Sequence, residues 1–199
     1  MLHLYFRTLI TCWKVFGFGR VFLGWLIGEP FLRLFTAITL WADRLFYPHY
    51  RKVTINKPVF IIGHPRSGTT FLHKLLAQAE GAVSFKAWHL RYPALTARLI
   101  MRPLVRHLIK TKRDVILPAE TGHKISLGSI EEEEMLFLHK YDTQFFTGGL
   151  LAFDERDYRE INFHDQQSEE RRLRSMRFLK GCFQRQMEST GVTGGYFME

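Results

Sequence analysis

The chain has 199 residues, 46% hydrophobic and 15% aromatic, which is enough to bury one core and too apolar for a disordered or low-complexity protein. Its formal charge of +9 is uneven: residues 1–60 hold 8 Lys and Arg against 2 Asp and Glu, residues 61–130 hold 11 against 3, and residues 131–199 hold 9 against 14. A basic first two-thirds suits a polyanionic small molecule, an acidic acceptor or an anionic surface; without a basic DNA-reading helix or an aromatic RNA-binding signature, nucleic acid is not expected. Cys12 and Cys182 form no CxxC pair and the nine histidines are scattered, so neither a disulfide framework nor a metal site is expected.

Residues 1–57 read as an aromatic and basic helical region. The longest uncharged runs, Val21–Gly28 and Leu34–Ala42, fall short of the roughly 18–20 residues that cross a bilayer, so no spanning helix is expected. No signal peptide is evident either, because charges split the apolar region and no small-residue cleavage site follows. Two readings stay open: a helical pair packed on the core with Gly28-Glu29-Pro30 as its break, or a helix in the membrane interface giving peripheral contact through residues 1–47. A cytoplasmic or peripheral-membrane location is favoured, with no compartment assigned.

Residues 58–199 read as an α/β domain. Pro58 punctuates the entry into an apolar run, Val59–Ile62, that fits a central parallel strand covered on both faces. A loop framed by Gly63 and Gly68 follows, and then a helix whose Phe71, Leu72, Leu75, Leu76 and Ala79 form one stripe that predicts docking on a sheet, with His73, Lys74 and Gln78 outside it. Strand, glycine loop and helix in that order aim backbone N–H groups and the positive helix end at one anion. The Gly63-to-Gly68 spacing matches the start of a Walker A loop, but Thr69 stands where the nucleotide hydrolases keep lysine. The cation here is Arg66, and Ser67, Thr69 and Thr70 offer hydroxyls.

Pro65-Arg66-Ser67-Gly68-Thr69-Thr70 resembles the 5′-phosphosulfate loop of the sulfotransferases that use 3′-phosphoadenosine 5′-phosphosulfate (PAPS). Phe85-Lys86-Ala87-Trp88-His89, Tyr92-Pro93-Ala94-Leu95-Thr96 and the run Glu131–Glu134 before Met135-Leu136-Phe137-Leu138 are similar to the first half of one branch of that family. The resemblance implies a P-loop-like parallel sheet flanked by helices, PAPS as donor without a metal, and a cradle of Arg66, Ser67, Gly68, Thr69 and Thr70. It also implies a base near Trp88-His89, so His89 is the candidate, with His123 and Glu133 as lesser ones; His64 inside the loop either orients phosphate or fills the turn. The family's strand, Arg and Ser that hold the 3′-phosphate have no counterpart before Glu199, which implies an N-terminal portion with an incomplete sheet and weak donor binding.

Beyond the loop, a short strand is predicted at Val83–Phe85 and a helix over Ala94–Lys110, with Pro103 as a break. Residues 111–128 read as a loop. Ser129 with Glu132 has capping-box spacing, which predicts a helix to about Lys140 with the acidic run as its first turn. Ser168 caps a longer helix striped by Leu173, Met176, Leu179, Phe183 and Met187, and Tyr196-Phe197-Met198 begins a strand.

The leading expectation is an enzyme that moves a sulfuryl group from PAPS to a hydroxyl or amine of a small-molecule, carbohydrate or lipid acceptor, with no oligomeric state assigned. The alternatives are a noncatalytic membrane-surface or partner-binding protein with a vestigial loop, and a divergent nucleotide kinase or hydrolase.

Overall fold

The computed structural model describes residues 2–56, 58–64, 67–118, 120, 124–154, 156, 158–191 and 196–197. Helix α1 (Leu2–Phe16) ends where Gly17 adopts φ +63°, a left-handed conformation that favours glycine. The chain then runs as one helix over Arg20–Phe46: α2 (Arg20–Leu23), a π turn (Gly24–Gly28) and α3 (Glu29–Phe46). The break therefore falls at Gly17–Gly19 and not at Gly28-Glu29-Pro30. Pro30 has no N–H and its ring presses on the carbonyl one turn back; the wider π turn, in which the Glu29 amide donates to the Gly24 carbonyl, accommodates it within the helix. This helix is long and apolar enough by length and composition to cross a membrane, which corrects the count of uncharged runs: single charges such as Arg33 do not end a helix.

The chain divides into two compact units, one of residues 1–38 and 134–179, the other of residues 39–133 and 180–199. The first is built on Leu4, Tyr141, Phe146, Leu151, Tyr158 and Ile161, with Trp25 and Leu138 packed against them. Arg33 lies 3.6 Å over the Tyr141 ring and donates to Glu29 at 2.8 Å, to the Tyr141 hydroxyl at 2.9 Å and to the His139 carbonyl at 2.9 Å. Burial pushes the Tyr141 phenol far above its usual range, so it stays neutral and donates to Glu29. Residues 133–140 form a 3-10 helix, not the α-helix that capping-box spacing predicts, and a π turn follows at Phe146–Leu150. Two short helices follow, α7 (Arg159–Asn162) and a 3-10 turn at His164–Gln166.

In the second unit the anchor is Asp43 of α3, fully buried. Its carboxylate accepts from the Leu95 and Thr96 amides at 3.0 and 2.8 Å, from the Thr96 hydroxyl at 2.8 Å and from Arg185 of α8 (Glu169–Thr190) at 2.6 Å. Helix α6 (Leu95–Lys110) is thus capped by a residue 52 positions earlier, because its own N-cap, Ala94, has no side-chain acceptor. It carries Pro103 without ending, where a break was predicted.

Strands in this unit are short. Ala82–Val83 (β1) pairs in parallel with Tyr196–Phe197 (β6), where a strand is predicted; Phe85–Lys86 (β2) pairs antiparallel with Ile130–Glu131 (β5). The stretch predicted as one strand, Val83–Phe85, is two strands with different partners. Residues 111–128, predicted as a loop, contain the antiparallel pair Val115–Leu117 (β3) and Ile125–Ser126 (β4). Val59–Ile62 departs most from prediction. Only Val59 makes an isolated bridge, and Ile62 is 94% exposed; the described two-stranded sheets pair other segments with one another.

Candidate functional site

The glycine loop is a tight reversal. The Ser67 amide donates to the His64 carbonyl at 3.1 Å, which spends one of the amides counted toward the anion cradle. Gly68, at φ +89°, then turns the chain into α4 (Thr69–Leu76), and the Leu72 amide donates to the Gly68 carbonyl at 3.0 Å. Among the described residues nothing accepts from the amides of Gly68, Thr69, Thr70 and Phe71, which form the open end of the helix. Gly63 is needed for a different reason: a Cβ there would lie 2.7 Å from both the Ser67 Oγ and the Thr69 methyl. The loop folds back on Gly63 closely enough that only a hydrogen fits. Pro65 and Arg66, and with them the candidate cation, lie outside the described residues, as does His123.

Helix α4 is turned opposite to its predicted orientation. Phe71 is 74% exposed and Leu72 and Leu75 are exposed, whereas His73 is 4% exposed. A polar network holds it this way. The Thr70 hydroxyl donates to Glu132 at 2.7 Å, Lys74 lies 3.8 Å from Glu131, and Ser129 donates to Glu131 at 2.6 Å. Burial lowers the His73 pKa, and the neighbouring Glu132 and Glu131 only partly offset it. Glu132 therefore reaches the first turn of α4 and makes no capping box with Ser129, so Thr70 does not present a free hydroxyl. The sequence signal for this contact was absent, because the partners are 62 positions apart.

β5 carries Glu131 and pairs with β2, and β2 runs directly into α5 (Ala87–Arg91), which holds His89. The 127–129 turn satisfies the first amides of α5: Ala87 donates to the Ser129 carbonyl at 2.8 Å and Trp88 to the Leu127 carbonyl at 3.2 Å. His89 closes the same end, its Nδ1 accepting from the Lys86 amide at 3.4 Å and its ring meeting Trp88 edge-on at 4.5 Å. Burial, with Arg98 and Lys86 nearby, lowers its pKa to about 2, so at neutral pH it is an uncharged imidazole. Arg98 is itself buried, donating to the Tyr92 carbonyl at 3.0 Å and to Gln186 at 2.6 Å, and burial lowers its pKa to about 10. The loop, β5, β2 and α5 thus form one continuous neighbourhood. His64, expected to orient phosphate or fill the turn, is exposed and contributes its carbonyl to the turn. Two cavities, of about 330 and 560 Å³, are lined by residues of the first unit and include none from the loop.

A left-handed glycine that leaves the first amides of a helix open is a geometry able to accept an anion. Residues 58–147 match the model of the sulfotransferase family. The structure resembles sulfotransferase STF1 from Mycobacterium tuberculosis H37Rv, with TM-score 0.60 and 16% identity over 98% of this chain and 53% of that one. Sulfotransferase STF9 from Mycobacterium avium aligns at TM-score 0.49 and 19% identity, over 80% of this chain and 40% of that one. At such identity the likeness to STF1 is one of fold, and the chain spans about half the length of that protein. No curated protein matches.

Proposed function

We propose that this chain carries the donor-binding half of a PAPS-dependent sulfotransferase, which moves a sulfuryl group to a hydroxyl or amine acceptor. The observation that supports this reading is the open set of amides from Gly68 to Phe71, presented by a left-handed glycine at the start of α4. Four converging donors and the positive helix end suit the doubly anionic 5′ end of a phosphosulfate.

In the transfer, an acceptor oxygen or nitrogen attacks sulfur in line, the bond from sulfur to the phosphate oxygen breaks, and adenosine 3′,5′-bisphosphate departs with that electron pair. Charge grows on the leaving phosphate, where preorganised N–H donors act without reorganisation. Arg66 supplies a forked guanidinium to the same oxygens, and Ser67 and Thr69 add hydroxyls. His89 is the candidate acceptor of the proton. Its Nδ1 already accepts from the Lys86 amide, so the neutral ring carries its hydrogen on Nε2 and takes the proton only on releasing that amide.

Calorimetry with adenosine 3′,5′-bisphosphate and with PAPS, on the wild type and Arg66→Ala, tests the reading. The expected result is salt-sensitive 1:1 binding that the substitution removes, with no response to magnesium-ATP. Equal binding by the variant, or turnover of magnesium-ATP, would contradict it.

A further inference from the structure

Helix α3 has its polarity inverted. Its outward row, Phe31, Leu34, Ile38, Trp41 and Leu45, recurs at three- and four-residue steps and is exposed throughout, with Phe31 at 71% and Trp41 at 58%. Its buried row contains Thr36, Thr39 and Asp43. A helix on the surface of a water-soluble protein shows the reverse arrangement. Helix α1 also exposes a large apolar row, Phe6, Ile10, Trp13 and Phe16, although it buries Leu4, Leu9 and Cys12 along with Thr8 and Thr11.

Charge along the same segment is sorted as well. Glu29 and Asp43 are the only acidic residues in 1–47, and both are tied inward, Glu29 by Arg33 and Tyr141 and Asp43 by Arg185 and the α6 amides. Lys14, Arg20 and Arg44 are exposed. The outward surface is therefore aromatic and aliphatic with cations and no carboxylate, which complements lipid tails bordered by anionic headgroups.

We infer that the outward row of α3 seats in one leaflet of an anionic bilayer, with the helix lying in the plane of the membrane. The in-plane placement follows from the inward row: Glu29, Arg33 and Asp43 hold protein partners from near the start of α3 to near its end, so one whole side of the helix is occupied by the protein. The opposite stripe, from Phe31 to Leu45, runs about 21 Å at the rise of an α-helix and enters the lipid sideways. Arg20 and Arg44 extend their cations to headgroup phosphates. This inference does not rest on the sulfuryl-transfer reading.

The test floats the full chain with vesicles of phosphatidylcholine alone or with one part in three phosphatidylglycerol. The wild type rises with the anionic vesicles, and Arg20→Gln and Arg44→Gln each lower affinity about fivefold at low salt. The triple variant Phe31→Ser, Leu34→Ser, Ile38→Ser, whose altered side chains are largely exposed, keeps its circular dichroism and binds at least about tenfold more weakly. Lipids brominated near the headgroup quench the fluorescence component lost in Trp41→Phe more than lipids brominated near the tail end. A wild type that stays at the bottom of the gradient, or a triple variant that floats equally well, overturns the inference. So does a detergent-free dimer whose mass falls to that of a monomer in the triple variant, since a second copy would then cover the row. Stronger quenching from the tail end overturns the in-plane placement.

Discussion

Gly63 and Gly68 constrain the loop in different ways, and their alanine variants separate these. A methyl at position 63 collides with Ser67 and Thr69, so Gly63→Ala is expected to displace the loop and weaken adenosine 3′,5′-bisphosphate binding more than it lowers thermal stability. At position 68 there is open space but a left-handed backbone, so Gly68→Ala costs about 1–2 kcal/mol of strain, read in chemical denaturation. Glu132 sets the charge beside the loop. Its carboxylate holds Thr70 and opposes an incoming anion, so Glu132→Gln is expected to tighten the bisphosphate about two- to fivefold at low salt, with the gain lost at high salt. Unchanged affinity at low salt would show that Glu132 does not face the anion.

At the scale of elements, the second unit depends on contacts between residues far apart in sequence. Asp43 joins α3, α6 and α8, so Asp43→Ala leaves a buried guanidinium and two amides of α6 without their acceptor; the expected loss is about 3–5 kcal/mol in urea unfolding. His89 fastens α5 and carries a pH signature. Its folded pKa is lowered from 6.5 to about 2, so the unfolded chain binds the proton more readily and stability falls as pH drops below 6.5. Between pH 6.5 and 5.5 the expected loss from this group is about 1 kcal/mol, with buried His73, also lowered, adding in the same direction. In His89→Asn, whose amide oxygen can still accept from Lys86, this slope should flatten; an unaltered slope would show that His89 titrates normally.

For the whole molecule, what was legible in the sequence was local. The glycine turn, α8 and the strand at Tyr196 were predicted, because left-handed turns, helix caps and short apolar runs are set by adjacent residues. Periodicity showed that α4 has an apolar side, but it could not show which side the fold covers: Phe71 and Leu75 face outward because Thr70, Lys74 and His73 meet the β5 side. The fate of the acidic run was equally out of reach, since spacing near Ser129 mimics a cap while Glu132 bonds to a threonine 62 positions earlier. Asp43 looked like one charge in an apolar stretch and is the buried hub of the second unit.

The reading as a donor-binding half stands on the open amides at the start of α4. Titrating isotope-labelled protein with adenosine 3′,5′-bisphosphate and following each backbone amide by nuclear magnetic resonance examines them one at a time. The largest shifts are expected at Gly68, Thr69, Thr70 and Phe71, absent in Arg66→Ala and with magnesium-ATP. Shifts confined to other regions, with those four amides unmoved at saturation, would contradict it.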